Sequence, residues 1–181
     1  MSKIAFVFPG QGSQYVGMCK AFYDQYPIAR QLFEEADDAL GFSLTKMCFE
    51  GPEADLRLTY NTQPAILTAS TICGEILKQH GVSADIAAGH SLGEYSALVN
   101  AGAMKFADAV RIVRQRGQFM QEAVPVGEGS MSAVMGLENE KIVEICAKIE
   151  AETGMPVQAV NFNCPGQVVI AGATESVDKV N

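Results

Sequence analysis

Apolar residues along this chain fall alternately into short blocks and helical stripes. Residues 3–8 are a continuous apolar run stopped by Pro9, the pattern of a short buried strand. The loop Pro9-Gly10-Gln11-Gly12-Ser13-Gln14 follows. The period then changes: Ile28, Leu32, Phe33 and Ala36 share one face of a helix over residues 27–40, which Gly41 ends. Residues 43–49 predict a shorter helix. Thr62-Gln63-Pro64 predicts a helix start, with a hydroxyl cap and a proline in the first turn. Residues 65–79 continue it, apolar nearly all round and therefore buried, to a close near Gly81. Residues 86–89 read as a strand, 92–99 as a helix, and 106–123 as a helix ended before Pro125.

The pattern changes after Pro125-Val126-Gly127. Residues 131–135 read as a strand. Residues 138–153 read as a helix with Ile142, Ile145, Cys146 and Ile149 on one stripe. Residues 157–162 and 168–171 read as strands joined by Asn163-Cys164-Pro165-Gly166, and Thr174 is placed to cap a last helix beginning at Glu175. The order β-α-β-β-(α) is that of a ferredoxin-like unit without its final strand. An element cut off in mid-unit argues that the sequence is a fragment. The fold class is α/β, with one domain over residues 1–125 and a second, incomplete one over 126–181.

Composition narrows the function classes. A chain of 181 residues with 48% hydrophobic content holds one medium domain with a real core, or a large domain plus part of a second. Only 19% of residues are charged and no long charge run occurs, so the chain is expected to be ordered. A net charge of −8 works against nonspecific nucleic-acid binding, which needs Lys and Arg to displace counterions. No nucleic-acid partner is expected. Lys105, Arg111, Arg114 and Arg116 nevertheless fall in one stretch, either a solvated helix face or a docking patch or anion clamp. The five cysteines, at 19, 48, 73, 146 and 164, are odd in number and include no CxxC, which fits free thiols in a reducing compartment. His80 and His90 are the only histidines and neither sits in a metal-ligand pattern, so no metal is expected. The N-terminal apolar run is too short for a signal peptide and no run spans a membrane. A cytoplasmic protein without a membrane partner is the expectation.

The candidate chemistry lies at Gly89-His90-Ser91-Leu92-Gly93. A strand turning sharply into a helix strains its corner residue, and small residues two before and two after relieve the crowding. Ser91 would then project its hydroxyl above a helix N-terminus as a nucleophile, with the Leu92 amide stabilising negative charge. A chance GxSxG in a glycine-rich chain is the alternative; the strand–turn–helix context favours the nucleophile. Gln11, between Gly10 and Gly12, is the candidate for a second amide donor, because loops after parallel strands gather at one sheet edge. A plain tight turn is the alternative there. A P-loop is excluded for want of GxxxxGK[ST], and GxGxxG fails because Tyr15 stands at the third glycine.

Five blocks in one order carry a resemblance: Phe8-Pro9-Gly10-Gln11-Gly12-Ser13-Gln14, Thr62-Gln63-Pro64-Ala65, Gly89 through Tyr95, Arg116-Gly117-Gln118-Phe119-Met120-Gln121, and Asn161-Phe162-Asn163-Cys164-Pro165-Gly166-Gln167. Together they resemble the malonyl-CoA:acyl carrier protein transacylases, kin of the acyltransferase domains of polyketide and fatty-acid synthases. The resemblance implies an α/β-hydrolase-like large subdomain with an inserted ferredoxin-like small subdomain, truncated here at the C-terminus. It implies a ping-pong reaction of fatty-acid biosynthesis, in which malonyl passes from coenzyme A to Ser91 and then to the phosphopantetheine thiol of acyl carrier protein. Malonyl-CoA and acyl carrier protein are the implied partners. The coenzyme A thioester is substrate, so no cofactor is expected, and the chain is expected to act as a monomer. The resemblance assigns the oxyanion hole to the backbone amides of Gln11 and Leu92, and the malonyl carboxylate to Arg116.

Physics favours the role of Arg116: malonyl differs from acetyl by one carboxylate, which is costly to bury unpaired and which a guanidinium fork can hold. His90 is expected to line the pocket rather than act as base, since neighbours at a sharp elbow point apart. Asn161 and Asn163 are placed near the acyl site, with turn formation as the alternative. The resemblance puts the general-base histidine beyond Asn181, and residues 105–114 are a candidate basic face for an acidic carrier protein. A serine esterase or thioesterase, or an incomplete fragment that only binds coenzyme A or carrier protein, are the rival readings.

Overall fold

A computed structural model describes residues 3–124 and 127–181. The boundary expected between residues 125 and 126 lies outside the described residues. The chain is mixed α/β and divides into two compact units, Met1–Gln121 and Glu122–Asn181.

The first unit runs β1 (Ala5–Phe8), α1 (Lys20–Gln25), α2 (Pro27–Leu40), α3 (Leu44–Glu50), α4 (Glu53–Arg57), α5 (Thr59–Gln79), β2 (Ile86–Gly89), α6 (Gly93–Asn100) and α7 (Phe106–Ala123). Strands β1 and β2 pair in parallel, from Ala5 opposite Ile86 to Phe8 opposite Gly89. Parallel neighbours need a long crossover, and α1 to α5 supply it. Phe6 and Phe8 alternate inward and bury against Ala97 of α6. The main core lies between the helices, where Phe33, Leu44, Leu56, Leu67 and Ile72 are fully buried. Edge-to-face contacts of Phe33 and Tyr23 with Phe49, at 5.0 and 5.2 Å between ring centroids, tie α1, α2 and α3 together. Helix α2 follows its stripe, burying Ala29, Leu32, Phe33 and Ala36, and ends at Gly41 with φ 74°. Ser43 caps α3 by accepting from the Lys46 amide at 3.1 Å. The short α1 and α4 were not anticipated: α1 buries no residue and α4 only Leu56, too little to leave a periodic signal.

Helix α5 corrects the expected start. It begins at Thr59 rather than after Thr62, so Pro64 lies inside it. Proline has no N–H to give the carbonyl four residues back, that of Tyr60. Arg114 of α7 fills the gap, donating from Nη1 to the Tyr60 carbonyl at 3.1 Å. Its guanidinium also bonds Asn61 Oδ1 and lies over the rings of Phe42 and Tyr60, 4.7 and 4.8 Å from their centroids. Arg114 therefore belongs to the packing of α7 on α5 and is not the surface cation expected; desolvation pushes its pKa down, with Tyr60 opposing. The helices meet at backbone distance, since a Cβ on Gly117 would stand 2.5 Å from the Tyr60 Cα.

The second unit holds β3 (Gly129–Met135), α8 (Asn139–Thr153), β4 (Val157–Cys164), β5 (Gln167–Ala173) and α9 (Thr174–Val180). Its sheet is antiparallel in the order β3-β5-β4. Ile142, Cys146, Val157, Val168, Ile170 and Val177 form its core. Strand β4 runs further than expected, so Asn163 and Cys164 are strand residues and only Pro165-Gly166 turns, with Gly166 at φ 79°. Asn163 donates to Gln167 Oε1 at 3.0 Å, which holds the strand ends together. Thr174 is the first residue of α9 and not its cap; its hydroxyl donates to the Gly127 carbonyl at 3.0 Å. Among the described residues no helix is long and apolar enough to cross a membrane.

Candidate active site

Strand β2 ends at Gly89 and the chain turns within three residues. The His90 amide donates to the Phe8 carbonyl at 3.1 Å, which anchors the corner to β1. Ser91 takes φ 51°, a left-handed conformation that costs a non-glycine residue on the order of 1–3 kcal/mol. The amides of Gly93 and Glu94 donate back to the carbonyls of His90 and Ser91 at 2.8 and 3.1 Å and open α6. Leu92 is fully buried beneath the corner, and Ser91 is exposed above it. Both glycines are steric requirements. A Cβ on Gly89 would lie 2.0 Å from the Gly93 carbonyl group, and one on Gly93 would lie 2.2 Å from the Phe8 oxygen.

The parallel register sets Phe8 opposite Gly89, so the loop after β1 starts beside this corner. A Cβ on Gly10 would stand 3.1 Å from both the His90 ring and its carbonyl oxygen, so the two loops touch. Gln11 follows, exposed, its side chain donating to Thr59 Oγ1 at 3.4 Å. Among the described residues, the backbone amides of Gln11 and Leu92 donate to no protein acceptor.

Arg116 reaches the corner from α7. Its Nη2 donates to Ser91 Oγ at 2.9 Å and its Nη1 to Gln63 Oε1 at 2.7 Å. The Tyr95 ring lies 5.9 Å from the guanidinium. Among the described residues no carboxylate is in ion-pair reach of Arg116, although short-range pairs at helical spacing hold Lys20, Arg57, Lys78 and Arg111. A half-buried guanidinium held only by neutral acceptors retains its full charge for an incoming anion.

Gln63, fully buried on α5, stands in one of the five resemblance blocks and at the expected helix start, but no site role was expected of it. Its Nε2 donates to Met120 Sδ at 3.4 Å and makes a long contact of 3.5 Å to Gln11 Oε1. A polar side chain inside a helix that is apolar nearly all round was the signal for it, because such a group needs a buried partner.

The structure thus brings Ser91, Leu92, Gln11 and Arg116 together in the first unit and adds Gln63. His90 is exposed beside Gly10, and among the described residues no hydrogen bond joins it to Ser91. Asn161 and Asn163 lie on β4 of the second unit, half-buried and exposed. Of the basic stretch, Lys105 and Arg111 are exposed, Arg111 pairing with Asp108 at 3.3 Å, and Arg114 is tied to α5. Among the described residues no group of three or more His, Cys, Asp or Glu side chains is placed to hold a metal ion. Chemically, the site offers a strained hydroxyl beside unpaired amides and an uncompensated cation.

Residues 5–181 match the acyl transferase domain. The malonyl CoA-acyl carrier protein transacylase of Bacillus subtilis (strain 168) is 54% identical over 178 residues, which are 98% of this chain and 56% of that protein. That of Escherichia coli (strain K12) is 53% identical over 180 residues, 99% of this chain and 58% of that protein. Among solved structures, an acyl-carrier-protein S-malonyltransferase from Burkholderia pseudomallei superposes with a TM-score of 0.91 at 50% identity, covering 99% of this chain and 58% of that one. A malonyl-transacylase in complex with its type II PKS acyl-carrier protein superposes at 0.93 with 47% identity, over 99% of this chain and 58% of that one. The chain therefore spans less than two thirds of the length of these relatives.

Proposed function

Because the chain belongs to the acyl transferase domain family, we propose that it moves a malonyl group from malonyl-CoA to the phosphopantetheine thiol of acyl carrier protein through an ester on Ser91. In the first half-reaction Ser91 Oγ attacks the thioester carbonyl, the C–S bond breaks and coenzyme A leaves as the thiol. In the second, the carrier-protein thiol attacks the malonyl ester and Ser91 recovers its proton. The amides of Gln11 and Leu92 receive the negative charge that develops on the carbonyl oxygen in both steps. Acyl carrier protein as acceptor rests on the relatives, one of which was solved with such a partner. No resident cofactor is needed, since the thioester already carries the activated acyl group.

The observation that carries this reading is Arg116, an unpaired guanidinium 2.9 Å from the nucleophile oxygen. Gln63 holds one edge of the fork, and acylation of Ser91 frees the other for the malonyl carboxylate. An acetyl group gains nothing there. We further read the first unit as part of an α/β-hydrolase-like subdomain and the second as a ferredoxin-like one, for which the β3-β5-β4 order is the support. The five free thiols fit a cytoplasmic setting, and we take the chain to act as a monomer.

Incubation with malonyl-CoA or acetyl-CoA, followed by intact-mass measurement, tests the reading, on the chain alone and with the remainder of a full-length relative supplied. A malonyl adduct that Ser91→Ala abolishes is expected. Arg116→Ala should slow malonyl loading about 10–100-fold, the worth of a charge-assisted hydrogen bond, and leave acetyl loading equal or faster. Unchanged malonyl preference in Arg116→Ala would refute the clamp, and the absence of any adduct under both conditions would favour a binding module.

A further inference from the structure

We propose that Ser13 and Gln14 are positioning residues, whose side chains set the two peptide planes on either side of Gln11 and so aim its amide at the acyl carbonyl oxygen. The inference rests on the reading of Gln11 as an oxyanion-hole donor. Such a donor must be held within about 0.5 Å of its working position. The loop that carries it offers little stiffness of its own. Gly10 and Gly12 flank Gln11, Gly12 lies at φ 110°, and glycine imposes almost no backbone preference. Other groups must therefore fix how the Gln11 amide turns.

Two side chains just downstream do this. The Ser13 hydroxyl donates to the Gly10 carbonyl at 3.3 Å, and the Gly12 amide donates to Gln14 Oε1 at 2.8 Å. A peptide unit is planar and trans, so a bond to one of its polar atoms orients the whole unit. The Gly10 carbonyl and the Gln11 N–H belong to one unit and point opposite ways. Holding that oxygen toward Ser13 turns the Gln11 N–H away from Ser13. The Gly12 N–H belongs to the next unit, together with the Gln11 carbonyl. The Gln11 Cα is the joint between these two units, and each unit has its own side-chain tie.

The ties to other elements are looser. Gln11 Nε2 reaches Thr59 Oγ1 at 3.4 Å, and Gln63 Nε2 comes within 3.5 Å of Gln11 Oε1. Gly10 packs on His90, which fixes where the loop begins and not how the next amide turns. By length the Gly12–Gln14 bond is the strongest of the four hydrogen bonds, so Gln14 carries most of the effect. Ser13 is exposed and Gln14 half-buried, so water competes for both bonds; they add little to fold stability and act on orientation. Both close within residues 10–14 and need no other element. The two polar residues that end the block Phe8 to Gln14 thereby acquire a task that the strand-to-loop pattern did not give them.

Single-turnover loading from malonyl-CoA and from acetyl-CoA, with the remainder of a full-length relative supplied, tests the proposal in Gln14→Met, Gln14→Glu and Ser13→Ala. Gln14→Met keeps the reach of the side chain and removes its oxygen. It should slow loading about 10–100-fold, somewhat less than outright loss of an oxyanion donor. The factor should be the same for both thioesters, with the half-saturating thioester concentration and the melting temperature unchanged. Ser13→Ala removes the longer bond and should cost about 2–10-fold. Gln14→Glu keeps an acceptor of the same reach and should recover most of the loss. With the acyl carbonyl labelled by carbon-13, the infrared band of the Ser91 ester should move to higher frequency in Gln14→Met, as the amide lets go of the oxygen. A loss confined to malonyl, a Gln14→Glu as slow as Gln14→Met, or a Gln14→Met that loads at the unsubstituted rate with an unmoved band overturns the proposal and leaves the acyl-enzyme reading standing. No adduct on Ser91 of the unsubstituted chain overturns both.

Discussion

Replacing Gln63 with Leu asks whether Arg116 is aimed at Ser91 or only stands near it. The change keeps roughly the same volume in a fully buried position and deletes the Oε1 that Arg116 Nη1 meets at 2.7 Å. A hydrogen bond to a charged group is worth about 1.5–3 kcal/mol. Arg116 is only half-buried, so water recovers part of this, leaving about 1–2 kcal/mol. That corresponds to a fall of about 5–30-fold in the second-order rate of malonyl loading. Acetyl loading should not fall, because an acetyl ester has no group for the guanidinium to hold. Fold stability should change little, since the amide lost inside is replaced by an apolar group and its other partners hold it loosely, Met120 Sδ as a weak acceptor and Gln11 Oε1 at 3.5 Å. Rapid-quench loading with each thioester, read by intact mass beside a thermal melt, separates these effects. Gln63→Glu adds a second arm: a carboxylate in the same place neutralises Arg116 and should depress malonyl loading further than Leu does. Equal losses for malonyl and acetyl would refute the reasoning, because Gln63 would then act through the Gln11 loop or the fold and not through Arg116.

Arg114→Met leaves the Tyr60 carbonyl, already abandoned by Pro64, without a donor and removes a cation over two rings; a loss of about 2–3 kcal/mol is expected by urea denaturation, and an unchanged midpoint would refute the packing role. Ser91→Gly relieves the φ 51° corner and should stabilise the chain by about 1 kcal/mol relative to Ser91→Ala, while both abolish loading; equal melting of the two variants would deny the strain. Iodoacetamide should modify Cys73 faster as pH rises, reaching half its plateau near pH 7, because the depressed thiol is deprotonated above that point. Cys19→Ala removes the side chain that holds the Cys73 thiol down and should move that midpoint up toward the ordinary thiol range; a fixed midpoint would refute that cause.

Where structure is set by local periodicity, the sequence was legible. The stripe of α2 and the full span of α7 follow from residues a turn apart, and β1 forms within the apolar run, although only its Phe6 and Phe8 are buried and the strand is not buried on both faces as expected. The elbow at Ser91 was legible for a similar reason. Its steric demands fall on Gly89 and Gly93, two positions either side, and any larger residue there collides with backbone. Helix α5 shows what local rules miss. A proline rule placed its first turn at Thr62, but a guanidinium from another helix satisfies the carbonyl that Pro64 leaves free, and the helix can begin at Thr59. In the same way the Asn163-to-Gly166 stretch has the composition of a loop, yet cross-strand bonding keeps Asn163 in β4 and confines the turn to two residues.

The two arginines of α7 make the limit concrete. Arg114 and Arg116 are two residues apart, so they project about 200° apart around the helix and cannot do the same work. Nothing in their neighbours says which is structural, because the deciding partners lie 53 or 54 residues away on α5. Gly117 removes the side chain that would hold α7 off Tyr60, and that close approach fixes the rotation of the helix. One guanidinium then completes the backbone of α5, and the other is carried over Gln63 to Ser91. The anion site proposed at Arg116 thus depends on how α7 packs. Substitutions at Gly117 or Tyr60 that shift α7 should therefore weaken malonyl selectivity without touching any group in contact with the acyl chain.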